Sequence, residues 1–258
     1  MKKYLLMFLF SIKENCIYLV QLILRSWYII ILMYIFYNLW KYAFFTNNTS
    51  FSINEFKMTV WYLLIAESIV ISRVDIASNI SVDVKQGIVG IYLLKPMNYI
   101  FFNFVKYFGK LIVPFVCNLA LGSIVLLFTV GLPVSINYFS FFPILLGFIL
   151  DFFFQCIIGL YSFCVEDISG YNNIYQKLLF IAGGMLIPLH YFPIAIQKIL
   201  FYTPFAQIIY SPSSLITNTS TMSMQTVIFL QLFWLAVIGS IVYIAFKKVR
   251  VMTQVNGG

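Results

Sequence analysis

Residues 182–212 read AGGMLIPLHYFPIAIQKILFYTPFAQIIYSP, an apolar run interrupted at Gly183, Gly184, Pro188, Pro193, Pro204 and Pro212. Whether this run crosses a membrane decides the number of spans and the side on which the C-terminal segment lies. A membrane helix needs about 20 apolar residues for a hydrocarbon core about 30 Å thick. Residues 178–192 supply only fifteen before Pro193, so the run is too short and too broken for a plain crossing.

The rest of the chain sets the frame for this stretch. Of the 258 residues 62% are hydrophobic and only 9% are charged, against roughly 25% charged in soluble domains. The chain therefore reads as an all-α polytopic membrane protein with one transmembrane domain over residues 1–258. Five apolar runs of spanning length lie at about 24–45, 57–77, 108–132, 139–163 and 226–246, with a sixth, irregular one at about 174–192. Residues 1–22 hold a shorter apolar run followed by Lys13 and Glu14, which suits an interfacial helix. The same N-terminal run resembles a signal peptide but lacks a small-residue cleavage site.

Charge then orients the map. With six spans and both termini cytoplasmic, thirteen of the sixteen Lys and Arg fall on the inner side, and only Lys41, Lys57 and Lys198 fall outside. A seventh span at 194–210 would carry the basic segment KKVR, residues 247–250, to the outer side against this bias. The opening stretch is therefore read as a fifth helix that loosens at Gly183 and Gly184 and ends near Pro188. Two short helices, about 194–202 and 205–216, then form a re-entrant outer hairpin over residues 190–216. Irregular backbone at membrane depth is tolerated only where protein or a watery cavity satisfies it, so this hairpin should face protein or a pathway. The net charge of +8 is scattered between apolar runs and forms no stripe for nucleic acid.

Catalytic signatures are absent. The sequence holds no GxxxxGK[ST] phosphate loop, no HExxH around its single histidine, His190, and no GxSG; the nearest string is DISG at 167–170. Cys16, Cys117, Cys156 and Cys164 have no metal-type spacing and read as reduced structural residues. Intramembrane carboxylates remain as candidates: Glu67 in WYLLIAESIVISRVD and Asp151 in ILLGFILDFFFQCIIGL. For each, two readings stand, an interhelical contact or a carboxylate on a substrate or coupling path. Arg73 and Asp75, near the inner end of the second run, read as snorkelling interfacial charges. His190 reads as structural or interfacial.

The longest inner segment, residues 78–107, contains DVKQGIVGIYLLKP, a turn at Gly87 followed by a short amphipathic element stopped by Pro96. It reads as a lipid-oriented surface loop or as a docking element. This loop, the interfacial N-terminal helix, six spans, IPLHYFP followed by YTPFAQIIYSP, and a basic tail ending VNGG together resemble the type-2 ABC transporter permeases across essentially the whole chain. The length is similar to that of a small bacterial subgroup found in natural-product and antibiotic export systems.

The resemblance implies the transmembrane permease subunit of an ATP-driven exporter in the bacterial plasma membrane, not itself an enzyme. It implies two copies of a separate ABC ATPase, which would bind ATP and Mg, and a second permease, identical or homologous. In that family the loop here spanning 83–94, beginning Asp83, Val84, Lys85, Gln86, Gly87 and Ile88, is the coupling helix that docks on the ATPase. The segment carrying Gly183, Gly184, Pro188, Pro193 and Pro204 is the outer gate hairpin. Glu67 and Asp151 match no motif of the family. Two other classes stand beside this one: a proton-coupled secondary transporter using Glu67 and Asp151, and a membrane assembly or immunity factor that transports nothing. No paired internal repeats of the kind many such carriers have are seen.

Overall fold

The computed structural model describes residues 2–17, 19–45, 52–94, 97–133, 138–220 and 222–255. Twelve α-helices and no strand occur among the described residues. The chain opens with α1 (Lys2–Ile17), α2 (Leu19–Phe45) and α3 (Ile53–Ser72). Ser52 starts α3 with a capping box: its hydroxyl accepts the Glu55 amide while the Glu55 carboxylate accepts the Ser52 amide at 2.8 Å. Two short helices follow, α4 (Ile76–Lys85) and α5 (Ile88–Leu93), and then the long α6 (Tyr99–Thr129), capped by Asn98. After α7 (Phe141–Leu160) and α8 (Ser169–Ala182) come α9 (Ile194–Phe201), α10 (Pro204–Ile208) and α11 (Tyr210–Ile216). The last helix is α12 (Met224–Val255).

Among the described residues four helices are long and apolar enough to cross a membrane: Ser26–Phe45 within α2, Tyr99–Thr129, Phe141–Phe163 and Met224–Val251 within α12. The other two expected spans have different characters. Helix α3 has 20 residues but carries Glu55, Lys57 and Glu67. Helix α8 has 14 residues, or about 21 Å of rise, less than the hydrocarbon thickness.

Helix α3 sits at the centre and is buried nearly all round, with Val60, Tyr62, Leu63, Leu64 and Ala66 fully enclosed. Helices α2, α6 and α11 pack on it, while α7 carries α4 and α12. Helix α1 lies along the first turns of α6 and runs in the same direction, tied by Asn15 Nδ2 to the Lys110 carbonyl at 2.9 Å and by Lys110 Nζ to Glu14 Oε1 at 2.9 Å. Between the packed faces, Phe128, Phe139, Leu132 and Ile199 stand in the open. Such residues suit contact with lipid tails, where apolar exposure carries no penalty.

Boundaries differ from the sequence reading for identifiable reasons. The second apolar run stops at Ser72 because Asp75 opens a new helix, its side chain accepting the Ser78 amide at 3.0 Å. The third begins at Tyr99, earlier than expected, because the Asn98 side chain accepts the Phe101 amide. The segment 78–107 thus divides into most of α4, the turn into α5, a short connection and the first turns of α6. Lys95 and Pro96 lie outside the described residues. In the opening stretch α8 ends outright at Gly183, and the second expected short helix is split in two at Ile209.

Candidate functional site

The segment singled out for docking has an anchored root and an open tip. Helix α4 seats Ile76, Ala77, Ile80 and Ser81 inward and packs on α7. It ends in a tight turn at Gly87, whose φ of +69° is a left-handed conformation that costs a non-glycine residue about 1–2 kcal/mol. Lys85, Gln86 and Gly87 are exposed, and Val84 and Ile88 are half-buried on either side of them. Asp83 is held from behind, its Oδ2 accepting Tyr99 Oη at 2.8 Å, and the Tyr99 ring stacks on Phe246 of α12 at 6.1 Å. Burial and the neighbouring Asp83 carboxylate push the Tyr92 hydroxyl above its ordinary range. On the facing loop, hydrogen bonds from Ser169 and, more weakly, the charge of Lys85 hold Asp167 below the usual carboxylate range.

Behind this tip lies a buried charge cluster. Arg73 Nη2 meets Asp151 Oδ1 at 2.7 Å, with the Asp151 side chain fully enclosed and that of Arg73 12% exposed. Tyr175 Oη of α8 donates to the same oxygen at 2.7 Å. The other carboxylate oxygen accepts Tyr107 Oη of α6 at 2.9 Å and Gln155 Nε2 at 2.7 Å. Gln155 Oε1 in turn accepts the Ile76 amide at 2.7 Å. The Arg73 guanidinium also lies over the Tyr175 ring, 5.2 Å from its centroid.

Asp151 and Gln155 stand four residues apart, on one face of α7, and therefore reach the same neighbour. One grips Arg73, the first of the non-helical residues 73–75, and the other grips Ile76 just after them. The joint between α3 and α4 is thus held on both sides by one helix, and α6 and α8 each add a tyrosine. A cavity of about 320 Å³ opens beside it, lined by Arg73, Asp75, Gln155, Asn172 and Gln176 on its polar side.

Arg73 is accordingly not a snorkelling residue. Its guanidinium turns inward to neutralise Asp151, which the sequence reading left without a partner. Isolating either charge at this depth is costly, so each requires the other. The signal was present in the i, i+4 spacing of Asp151 and Gln155, but which helix faces them is a property of tertiary packing. Glu67 takes no part in this cluster; it is buried, and among the described residues its Oε2, the Ser68 hydroxyl and the Asn118 amide have no hydrogen-bond partner.

The residues of the broken stretch form a separate group. Gly184 closes α8 with φ +70°, and its carbonyl accepts Tyr62 Oη at 2.7 Å. Pro188 precedes a single 3-10 turn holding His190, which lies between Tyr191, at 4.2 Å between ring centroids, and Tyr62 and Tyr210, each at 6.3 Å. Pro193 caps α9, and Pro204 takes the first position of α10 after the Thr203 cap. Helix α11 is buried along its whole length. A Cβ on Gly147 would stand 2.8 Å from the Ile208 carbonyl, so α10 lies directly on α7. Gln231 of α12 donates to the Pro143 and Gln207 carbonyls, each at 2.9 Å.

The two groups meet α3 at different levels. Residues in its first half meet the broken stretch, through Thr59 to Tyr191 at 2.6 Å and Tyr62 to Gly184, and its end meets the charge cluster through Arg73. One central helix therefore touches both the segment with the exposed tip and the broken stretch after α8. Such a layout suits transmission of movement along a helix rather than covalent chemistry.

The family model described as ABC-2 family transporter protein matches residues 22–254. No curated protein sequence matches the chain.

Proposed function

The chain belongs to the ABC-2 family of transporter proteins, and from that premise we propose that it is the permease subunit of an exporter whose ATP is hydrolysed by a separate subunit. Two copies of that ATPase bind ATP and Mg and dock on the tip formed by Asp83, Val84, Lys85, Gln86, Gly87 and Ile88. A second permease, identical or homologous, completes the path. The spans are α2, α3, α6, α7, α8 and α12, with α1 in the interface and the segment 78–107 on the cytoplasmic side. Both termini are cytoplasmic in a bacterial plasma membrane, as the basic residues favour. The outer hairpin closes the path over a hydrophobic or amphipathic cargo such as an antibiotic or other natural product.

The observation that carries this reading is the jointed α3–α4 segment, which ends in the exposed residues 85–87 and is gripped at its joint by Asp151 and Gln155 of α7. Closure of an ATPase dimer against such a tip shifts α4, and the grip passes the shift to α7 and α8. Asp151 already has four donors on its two oxygens, which favours a fixed tie over a proton carrier.

Gly90 provides the cleanest test. A Cβ there meets nothing within 4 Å, so Gly90→Trp adds bulk to the docking segment at a position with open space beside its backbone. With a co-expressed ATPase, Gly90→Trp and Lys85→Glu are expected to abolish copurification and stimulated ATP hydrolysis. Wild-type levels of both in the two variants would overturn the docking assignment.

A further inference from the structure

A second groove lies between α6, α7 and α12, at the end of the molecule that carries α5, and has a volume of about 630 Å³. Its walls are apolar and largely aromatic: Phe101 and Phe104 of α6, Phe153 of α7, and Val242 and Phe246 of α12. Its rim is polar and basic, with Asn98, Lys247 and Arg250. Among the described residues no carboxylate lines it. The comparable groove between α1 and α6 differs in this respect, since Glu14 stands there with Lys13 and Lys106.

An apolar trough that ends in two cations matches one kind of membrane molecule, an acyl chain joined to a negatively charged headgroup. Basic pockets between membrane helices on the cytoplasmic side select such headgroups because the surface charge and hydrocarbon burial act together. Phosphatidylcholine has the same chains but no net charge for Lys247 and Arg250 to hold. We propose that this groove is a binding site for an anionic phospholipid of the inner leaflet, with acyl chains along Phe101, Phe104 and Phe153 and the phosphate at Lys247 and Arg250. Assignment to the inner leaflet rests on the orientation proposed above; the site itself does not.

The position of the groove gives the lipid a consequence. Phe246 forms part of the wall and stacks on Tyr99, whose hydroxyl holds Asp83 of the docking segment. A lipid seated against Phe246 thereby supports the root of the tip, so the lipid steadies the element that meets the ATPase.

Gly239 allows the groove to be filled without breaking the helix around it. A Cβ at this position has only Phe153 nearby, at 3.8 Å, so Gly239→Phe directs a ring into the space the chains would take. Purified protein is incubated with equimolar phosphatidylglycerol and phosphatidylcholine of matched chains, and retained lipid is counted by native mass spectrometry. Wild-type protein is expected to retain phosphatidylglycerol in preference, Gly239→Phe to lose both lipids, and Lys247→Gln and Arg250→Gln each to weaken the preference roughly fivefold. Thermal unfolding is followed in parallel, so that only variants with wild-type melting are compared.

Equal retention of the two lipids by the wild type, or undiminished retention by folded Gly239→Phe, would overturn the proposal. So would loss of oligomer without loss of lipid in Gly239→Phe, because the groove would then hold a protein helix. The measurement is made in detergent and reads neither leaflet nor topology. Failure of the orientation would appear separately, as access to a C-terminal tag from outside intact cells.

Discussion

Asp151 lies in an apolar helix with its side chain fully enclosed, and its negative charge is balanced only because Arg73 turns inward to meet it. Removing one member of such a pair strands the other, at about 3–5 kcal/mol, whereas removing both costs much less. Arg73→Gln is therefore expected to lower the melting temperature of the purified protein strongly, and Arg73→Gln combined with Asp151→Asn to recover a good part of the loss. A loss in the double variant equal to the sum of the two single losses would show that the pair is not coupled. The carboxylate was legible in the sequence because a charge inside FILDFFF cannot be overlooked. Its partner was not, because Arg73 sits where an interfacial arginine is ordinarily found, and only packing decides whether such a residue turns to water or inward. Tyr107 and Tyr175 were less visible still, among 18 tyrosines with no local feature to mark them.

At the scale of elements, the ends of helices were set by local chemistry and the pairings between helices were not. Pro193 and Pro204 each stand at the start of a short helix, where proline is suited, so the broken stretch is a series of deliberate starts. Gly184 is its necessary stop: with φ +70° a side chain is strained, and its Cβ would press on Tyr62 Oη at 3.0 Å. Gly184→Ala is expected to cost about 1–2 kcal/mol, read as a lowered melting temperature, while Gly90→Ala at an open helical site leaves it unchanged or raised. Equal effects of the two would remove the special standing of Gly184. The proposed hairpin offers a position to probe for sidedness, since Lys198 is exposed on α9 whereas Gln197 is half-buried. Lys198→Cys is expected to react with an impermeant thiol reagent applied to whole cells. Reaction only from the cytoplasmic face of inverted vesicles would place the hairpin on the other side.

For the molecule as a whole, composition sufficed for the membrane class, and charge bias supplied an orientation that a C-terminal reporter fusion tests directly. A fluorescent protein after Gly258 is expected to fluoresce, and a periplasm-dependent phosphatase at the same point to stay inactive; the reverse pattern would invert the topology. The order and approximate place of the apolar runs were legible, whereas the enclosure of α3 on all sides was not, since which helices cover it is decided by packing between distant segments. The Arg73–Asp151 tie also bears on biogenesis. Chains are made from the N-terminus onward, so Arg73 and Tyr107 are synthesised before Asp151, and Tyr175 follows after only a short further length. The nascent carboxylate thus follows its countercharge into the fold, and α7 meets a partner made before it. A single buried pair in this way aligns the order of synthesis with the order of packing.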